Sequence, residues 1–385
     1  MTPAPRPSRP GETPPGGVFP FPPAPGRPHR THSPAAMRRD YPVHLFPTDA
    51  PMSSTDRADQ RLAWTRQALS DPTLEMEVAS ADASFRSYWR TSSGGSSWIV
   101  MDAPPGREDI GPWLDIGARL AQAGLHTPAV RASDVEQGFV LMEDLGDRLY
   151  LPELDAGSAD ALYAPAIDAI LSMQSRVSPE GLPAFDEPWM VMELELMPEW
   201  FLRRHLGFLP ECEDWDPIES AFRAILNAAH AQPQRFMHRD FHSRNLLVVA
   251  DNMPGVIDFQ GAMRGPLAYD LASLLRDCYI AWPEERVTVW REGYRRRAVA
   301  QGLTDAGSDE FARWFDLAGL QRHIKVLGIF CRLAYRDGKP GYLADLPLVW
   351  RYVREVGSRH DEVRPMIGLL ERVIGDIDIT RPRGG

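Results

Sequence analysis

Between residues 73 and 143 apolar and polar positions alternate in short runs bounded by small turn residues. A period of two predicts strands over 73–78, 85–91 and 97–101, with Gly94-Gly95 turning the second into the third, and two more over 130–133 and 139–143. Between the third and fourth the period becomes helical, over 109–123, and Gly124 closes that helix. After Gly146 helical spacing dominates, over 158–175, 198–206, 217–231, 267–280, 284–300, 308–334, 346–356 and 360–374. The expected class is α+β: a small five-stranded antiparallel N-lobe with one inserted helix at 52–146, and a larger, mainly helical C-lobe at 147–385. Ser53-Ser54-Thr55-Asp56 reads as a helix start, followed by a stripe of Leu62, Ala63, Ala68 and Leu69.

Residues 1–51 carry no such period. They hold 15 of the 36 prolines and read as a polyproline-like or disordered tail, with Met37 and Met52 as alternative starts. The tail's six arginines outnumber Glu12, Asp40 and Asp49, which leaves a charge of −14 on the 334-residue body out of −11 overall. An acidic body argues against a general nucleic-acid surface. No apolar run approaches the roughly 20 residues needed to cross a bilayer, and the N-terminus has no apolar signal core. Cys212, Cys278 and Cys331 lack metal-ligand spacing and make no disulfide framework, which suits a cytoplasmic protein. Only Lys325 and Lys339 are lysines, so 40 of the 42 basic residues are arginine and no lysine precedes position 325.

One stretch, 236–261, interrupts the helices. Met237-His238-Arg239-Asp240-Phe241-His242-Ser243-Arg244-Asn245 leads into an apolar strand, and a second short strand, Val256-Ile257, leads into Asp258-Phe259-Gln260-Gly261. A hairpin turning at 251–255 presents Asp240 and Asn245 before one strand and Asp258 after the other, so three oxygen-bearing side chains converge at one end. Phosphoryl transfer needs such a set: a carboxylate to take the proton of the attacking hydroxyl, and hard oxygen ligands to hold Mg²⁺ against the phosphates. Asn245 lies five residues after Asp240 and Asp258 eighteen after it. With this spacing the chain resembles the protein-kinase superfamily, and His242 is the mark of its aminoglycoside phosphotransferase-like branch. The resemblance implies a bilobal kinase-like fold, ATP and Mg²⁺ as cofactors, Asp240 as base, Asn245 and Asp258 as metal ligands, and His242 beside the transferred phosphoryl or the acceptor. Asp270 resembles the buried aspartate that supports the catalytic loop with His238; a helix-dipole role is its plainer reading. Only eleven residues separate Asp258 from Asp270, too few for a peptide platform, which favours a small-molecule acceptor.

The nucleotide half departs from the kinase pattern. The first turn, at 79–84, has no glycine and the third strand no lysine. Arg86 or Arg90 on the second strand is therefore the candidate cation for the phosphates, with Ser80, Ser84 or nearby backbone N–H groups as donors. Solvated strand arginines are the plainer alternative. Glu108 or Asp109 is a possible partner for that arginine, or a first-turn dipole partner. Leu141–Gly146, with Glu143 and Asp144, corresponds to the hinge that reads adenine.

Further stretches narrow the resemblance to the anomeric kinases of N-acetylmuramate and N-acetylglucosamine, over about residues 58–375: 80–86, 102–105, and Met192–Leu202 with its Pro-Glu-Trp-Phe-Leu. In the acceptor site this implies, Glu193 and Glu195 are candidates for sugar hydroxyls and Trp200 for stacking. Gln260 is placed at the sugar, and Arg203, Arg204, Arg244 and Arg264 are candidates for a lactyl carboxylate. Glu199 also belongs to this segment; with Arg203 it reads equally well as an exposed i,i+4 pair. The resemblance implies a monomer making a sugar α-1-phosphate in peptidoglycan recycling, linked to a sugar-1-phosphate nucleotidyltransferase and to bypass of fosfomycin-sensitive synthesis, with no nucleic-acid or membrane partner. Rival acceptors are an aminoglycoside, choline, homoserine or a ketosamine; from another class, a pseudokinase scaffold.

Overall fold

The computed structural model describes residues 54–81 and 85–382, all within one compact unit, Ser53–Gly385. The proline-rich segment 1–51 lies outside the described residues. Helix α1 (Ser54–Leu69) precedes a five-stranded antiparallel sheet of order β1-β2-β3-β5-β4, built from β1 (Glu77–Ala81), β2 (Ser87–Ser93), β3 (Ser96–Asp102), β4 (Val130–Asp134) and β5 (Phe139–Glu143). Helix α2 (Gly111–Gln122) sits between β3 and β4 as the periodicity predicts. Gly94 and Gly95, at φ 61° and 80°, make the β2–β3 turn in a conformation that an L side chain resists.

The first strand starts four residues later than expected. Leu74 is buried, Arg66 donates to its carbonyl at 3.1 Å, and Asp71 accepts from the Thr73 N–H and hydroxyl. Residues 73–76 thus anchor the end of α1 and turn, leaving alternation to begin at Glu77. Asp109 caps the approach to α2 by accepting from Gly111 N–H, while Glu108 accepts from Phe85 N–H at 3.3 Å. Among the described residues neither makes an ion pair or hydrogen bond to an arginine; both serve the chain around α2 instead.

Beyond Glu143 come α3 (Tyr150–Glu153), α4 (Ala159–Arg176) and α5 (Glu187–Leu194), then a π-helical segment, Met197–His205, and α6 (Cys212–His230). The helical spacing over 198–206 takes this wider form, with Leu206 N–H bonding Phe201 O five residues back. Helix α6 begins five residues before Pro217 because Glu211 and Asp214 form a reciprocal capping box. The strands β6 (Gln234–Met237) and β9 (Met263–Pro266) pair around a small hairpin, β7 (Leu246–Leu247) and β8 (Gly255–Val256). Helices α7 (Tyr269–Leu275), α8 (Glu284–Ala300), α9 (Ser308–Tyr335), α10 (Leu346–Gly357) and α11 (Arg364–Ile374) complete the chain.

Two cores result. One joins Met101 and Val140 of the sheet to Leu246, Val256 and Phe259 around the hairpin and to α4 and α7. The other packs the π-helix, α6, α10 and α11 around α9. Helix α9 is buried along most of its length, and a Cβ at Gly328 would come within 2.3 Å of the Leu196 carbonyl carbon. Glycine there lets the junction between α5 and the π-helix lie directly on α9, bringing Glu193 against the turn that carries Gln321 and Lys325.

Candidate active site

The hairpin register assembles the centre. Leu246 pairs with Val256 and Leu247 with Gly255, and Ile257 N–H bonds the Asn245 carbonyl at 3.1 Å. Asn245 and Asp258 therefore end side by side, Asn245 Nδ2 lying 3.3 Å from Asp258 Oδ2 and 2.9 Å from the Asp240 carbonyl. Asp258 takes a left-handed backbone, φ 62°, and Gln260 Nε2 donates to its Oδ1 at 2.7 Å. Phe259 is buried against Trp113 of α2, ring centres 5.2 Å apart, so the segment after Asp258 is moored to the inserted helix.

The loop bearing Asp240 is held from behind. Asp270, fully buried at the start of α7, accepts from His238 N–H at 2.7 Å and Arg239 N–H at 2.9 Å. Burial raises its carboxyl to about 7 against the pull of those two N–H groups. His238 is fully enclosed and its Nε2 lies 3.2 Å from the Ile257 carbonyl, which ties the loop to the second strand. Asp277 takes Ser243 N–H at 2.9 Å and Ser243 Oγ at 2.5 Å. His242 is buried, and burial lowers its imidazole to about 4, so it stands neutral at physiological pH.

Helix α9 supplies cations that the motif does not contain. Arg322 Nη1 donates to Asp240 Oδ1 at 3.1 Å and to the Arg239 carbonyl at 3.2 Å. Lys325 Nζ lies 3.1 Å from Glu193 Oε1, which also takes Arg239 Nη2 at 2.6 Å and Trp189 Nε1 at 3.3 Å; Gln321 Nε2 bonds Oε2 at 2.9 Å. Burial opposes ionisation of Asp240, but Lys325 and Arg322, then His242 and Arg239, hold its carboxyl far below the usual carboxylate range. The Asp240 side chain keeps 37% of its surface exposed, so an ionised carboxylate held by Arg322 is left open on one side. Arg322 and Lys325 are the functional candidates that the sequence reading passed over. Their signal was two cations three residues apart within a buried apolar helix, where a charge persists only if paired.

Other predicted residues are placed elsewhere. Glu193 is 3% exposed and occupied on both oxygens by the neighbours just described. Glu199 pairs with Arg203 at 3.2 Å and Arg204 at 3.3 Å, and Arg204 lies over Trp200 at 5.7 Å. Those four cluster on the π-helix and make no hydrogen bond or ion pair to Asp240 or Asn245. Glu195 is exposed at the end of α5, and Arg264 is exposed on β9, its N–H and carbonyl bonded to Pro183 and Phe185. In the sheet, Arg90 grips Asp144 through two bonds, 2.7 and 3.1 Å, while Ser97 Oγ and Gly146 N–H complete that carboxylate. Glu143 meets His126 Nε2 at 3.1 Å and Ala129 N–H at 3.2 Å. Arg86 lies just before β2. Ser84 lies outside the described residues, and Ser80 is described only as paired backbone opposite Tyr88.

A sheet with one inserted helix, joined to a helical lobe in which a buried loop brings an aspartate beside an Asn–Asp pair on one hairpin, is the architecture of a kinase-like phosphotransferase. Residues 75–310 match the model of the phosphotransferase enzyme family that includes the aminoglycoside phosphotransferases, and the chain belongs to that family. It is 43% identical to the N-acetylmuramate/N-acetylglucosamine kinase of Pseudomonas aeruginosa over 300 residues, which cover 78% of this chain and 88% of that protein. It is 40% identical to the kinase of the same name from Pseudomonas putida, over 82% and 96% of the two chains. Among solved structures, ADP-bound aminoglycoside phosphotransferase APH(2'')-Ib aligns with a TM-score of 0.53 at 16% identity, over 79% of this chain and 99% of that one. An ethanolamine kinase from Plasmodium vivax aligns at 0.56 and 12%, over 81% and 92%. At these identities the structures share the fold with this chain.

Proposed function

We propose that the chain transfers the γ-phosphoryl group of ATP to the anomeric hydroxyl of N-acetylmuramate, and of N-acetylglucosamine, giving the α-1-phosphate. The observation that carries the reading is the convergence of Asp240, Asn245 and Asp258 in a chain 43% identical to a kinase of these two sugars. Asp240 orients the hydroxyl and accepts its proton as the O–P bond forms. Because Arg322 and Lys325 keep that carboxylate strongly acidic, most of its contribution is alignment and charge, with proton transfer late in the step. His242, neutral and buried beneath the loop, borders the transferred group. The sheet and the hinge strand at Glu143 and Asp144 are the proposed nucleotide side, with Arg86 or Arg90, Ser80 and Ser84 as its candidate phosphate contacts.

The donor chemistry of the hairpin end fits Mg²⁺. Asn245 and Asp258 lie side by side, the Asn245 Nδ2 turned to Asp258 and to the Asp240 carbonyl, so that an amide oxygen and a carboxylate are available as hard donors, and the buried Gln260 Oε1 beside Asp258 has no hydrogen-bond partner among the described residues. Among the described residues no three His, Cys, Asp or Glu side chains form a metal cluster, which is the pattern for an ion bound by one or two protein oxygens together with substrate phosphates. Asn245 and Asp258 would hold the ion, and when bound it neutralises charge building on the phosphate oxygens. No described helix is long and apolar enough to cross a membrane, and the proposed setting is the cytoplasm, with a nucleotidyltransferase consuming the product.

A panel of N-acetylmuramate, N-acetylglucosamine, aminoglycosides, choline, homoserine and a ketosamine, each with ATP and Mg²⁺, tests the reading when the phosphorylated position is assigned by ³¹P NMR. Phosphate on C1 of the two sugars is expected. Phosphate on C6, or turnover of aminoglycosides alone, would overturn it.

A further inference from the structure

Of the four arginines that the sequence offers for a substrate carboxylate, three are placed poorly for it. Arg203 and Arg204 are both engaged by Glu199, and Arg264 sits on β9, where its backbone is bonded to the 183–185 segment rather than to the catalytic loop. Arg244 differs. It is exposed, lies four residues after Asp240 on the same loop, and makes no ion pair within 4 Å among the described residues. Its guanidinium carbon lies 3.5 Å from the centre of the Tyr279 ring, and its backbone N–H bonds His242 Nδ1 at 3.3 Å.

The support under Arg244 is rigid and belongs to the site. Asp277 accepts from Ser243, the residue before Arg244, and its other oxygen accepts from Tyr279 N–H at 3.2 Å. One buried carboxylate thus fixes both the loop and the ring on which the arginine rests. Tyr279 also meets the His242 ring edge-on, with centres 5.7 Å apart. Stacking covers the face of a guanidinium and leaves its in-plane N–H fork open, the geometry that receives a carboxylate through two parallel bonds. Burial raises the Asp345 carboxyl against the pull of the Arg244 charge, and among the described residues the two form no ion pair. The fork is therefore held on the loop that carries Asp240 and, among the described residues, has no ion-pair partner.

We infer that Arg244, on its Tyr279 pedestal, binds the lactyl carboxylate of N-acetylmuramate and so sets the preference between the two sugars. The inference rests on the proposed sugar kinase reading. N-acetylglucosamine lacks the lactyl group, whose ether is on C3, two ring carbons from the reacting C1. A cation that reads it must lie near the base and not at it, and Arg244 is carried on the same loop, four residues after Asp240.

The test is the ratio of kcat/KM for N-acetylmuramate to that for N-acetylglucosamine, in the wild type, Arg244→Ala and Arg244→Lys. Loss of a charge-assisted bidentate contact should lower this ratio about 10- to 100-fold in Arg244→Ala, mainly through the N-acetylmuramate KM, with partial recovery in Arg244→Lys. The uncharged lactyl amide of N-acetylmuramate closes a cycle: it should be a poor substrate of the wild type, and Arg244→Ala should discriminate little between it and the acid. An unchanged ratio, or an equal fall for both sugars, would overturn the assignment. Failure of the wild type to phosphorylate either sugar would instead remove the sugar kinase reading, and this inference with it.

Discussion

In the sheet, Arg57 and Arg61 reach from α1 to Asp102 at 2.7 and 2.8 Å, and Arg90 reaches Asp144 at 2.7 Å. Beneath the catalytic loop, Arg239, Arg322 and Lys325 gather around Glu193 and Asp240 at 2.6 to 3.1 Å. Each region sets three cations against two carboxylates, all within ion-pair distance. The carboxylates differ in exposure: Asp102 at 4%, Asp144 at 6% and Glu193 at 3% are closed off, and Asp240 at 37% is open. In the sheet the pairs fasten α1 and the hinge to strands. Under the loop the same chemistry ends on one carboxylate that a substrate can reach, so ion-pair content alone does not mark the reactive region.

The largest expected effect follows from that open carboxylate. Asp240→Asn keeps the shape and the contact to Arg322 but removes the proton acceptor, and kcat should fall by about 10³-fold, within the range for a general base. Since Asp240 makes no contact with the hinge, the ATP dissociation constant should shift by less than about threefold, a difference under about 1 kcal/mol. Stopped single-turnover chemistry with intact nucleotide binding, read by fluorescence titration, is the expected pair of results. Preserved turnover would remove Asp240 as the base and with it the contrast between open and closed carboxylates.

Next in size is the buried half of the catalytic cluster. Lys325→Met deletes a cation that is 5% exposed and leaves Glu193 with Arg239 as its cation and Gln321 and Trp189 as neutral donors. Removing one partner of a buried pair costs about 3–5 kcal/mol, measurable by denaturant unfolding. The acid limb of the kcat profile should also move to higher pH, because Lys325 is the foremost charge lowering the Asp240 carboxyl. With Glu193→Gln, a double-mutant cycle should give a coupling of about 1–3 kcal/mol. Additive effects would mean that Lys325 and Glu193 are neighbours without being a unit.

The difference between the regions also governs what the sequence discloses. Asp240, Asn245 and Asp258 are legible because two short strands fix their separation, and the five strands are legible because alternation on a half-buried sheet is a local property. Arg322 meets Asp240 from 82 positions away, a contact created when α9 packs against Leu196 through Gly328. No local period encodes that approach. The same holds for Glu193, whose place in a Glu-rich stretch suggested a sugar ligand while packing set it among Arg239, Gln321 and Lys325. At 73–76 an alternating stretch that reads as a strand is diverted by the Asp71 turn, because a buried Leu74 and a capped carbonyl outweigh strand propensity.

The smallest expected effect tests the closed region. Arg90 is 28% exposed, and its partner Asp144 is also held by Ser97 and Gly146, so Arg90→Ala leaves that carboxylate with two of its partners. The loss should be about 1 kcal/mol, the upper end for a partly exposed pair, or about 2 °C in melting temperature for a chain of this size. The ATP KM separates the two roles open to Arg90. If the pair only fastens β2 to the hinge, the KM should change by less than about threefold, equivalent to under about 1 kcal/mol. A tenfold rise would mean that Arg90 leaves Asp144 when nucleotide binds and takes the phosphates in place of the missing lysine. The closed carboxylate would then be a resting place for a working cation, and the sheet and the catalytic loop would differ in when their charges are released rather than in whether they are.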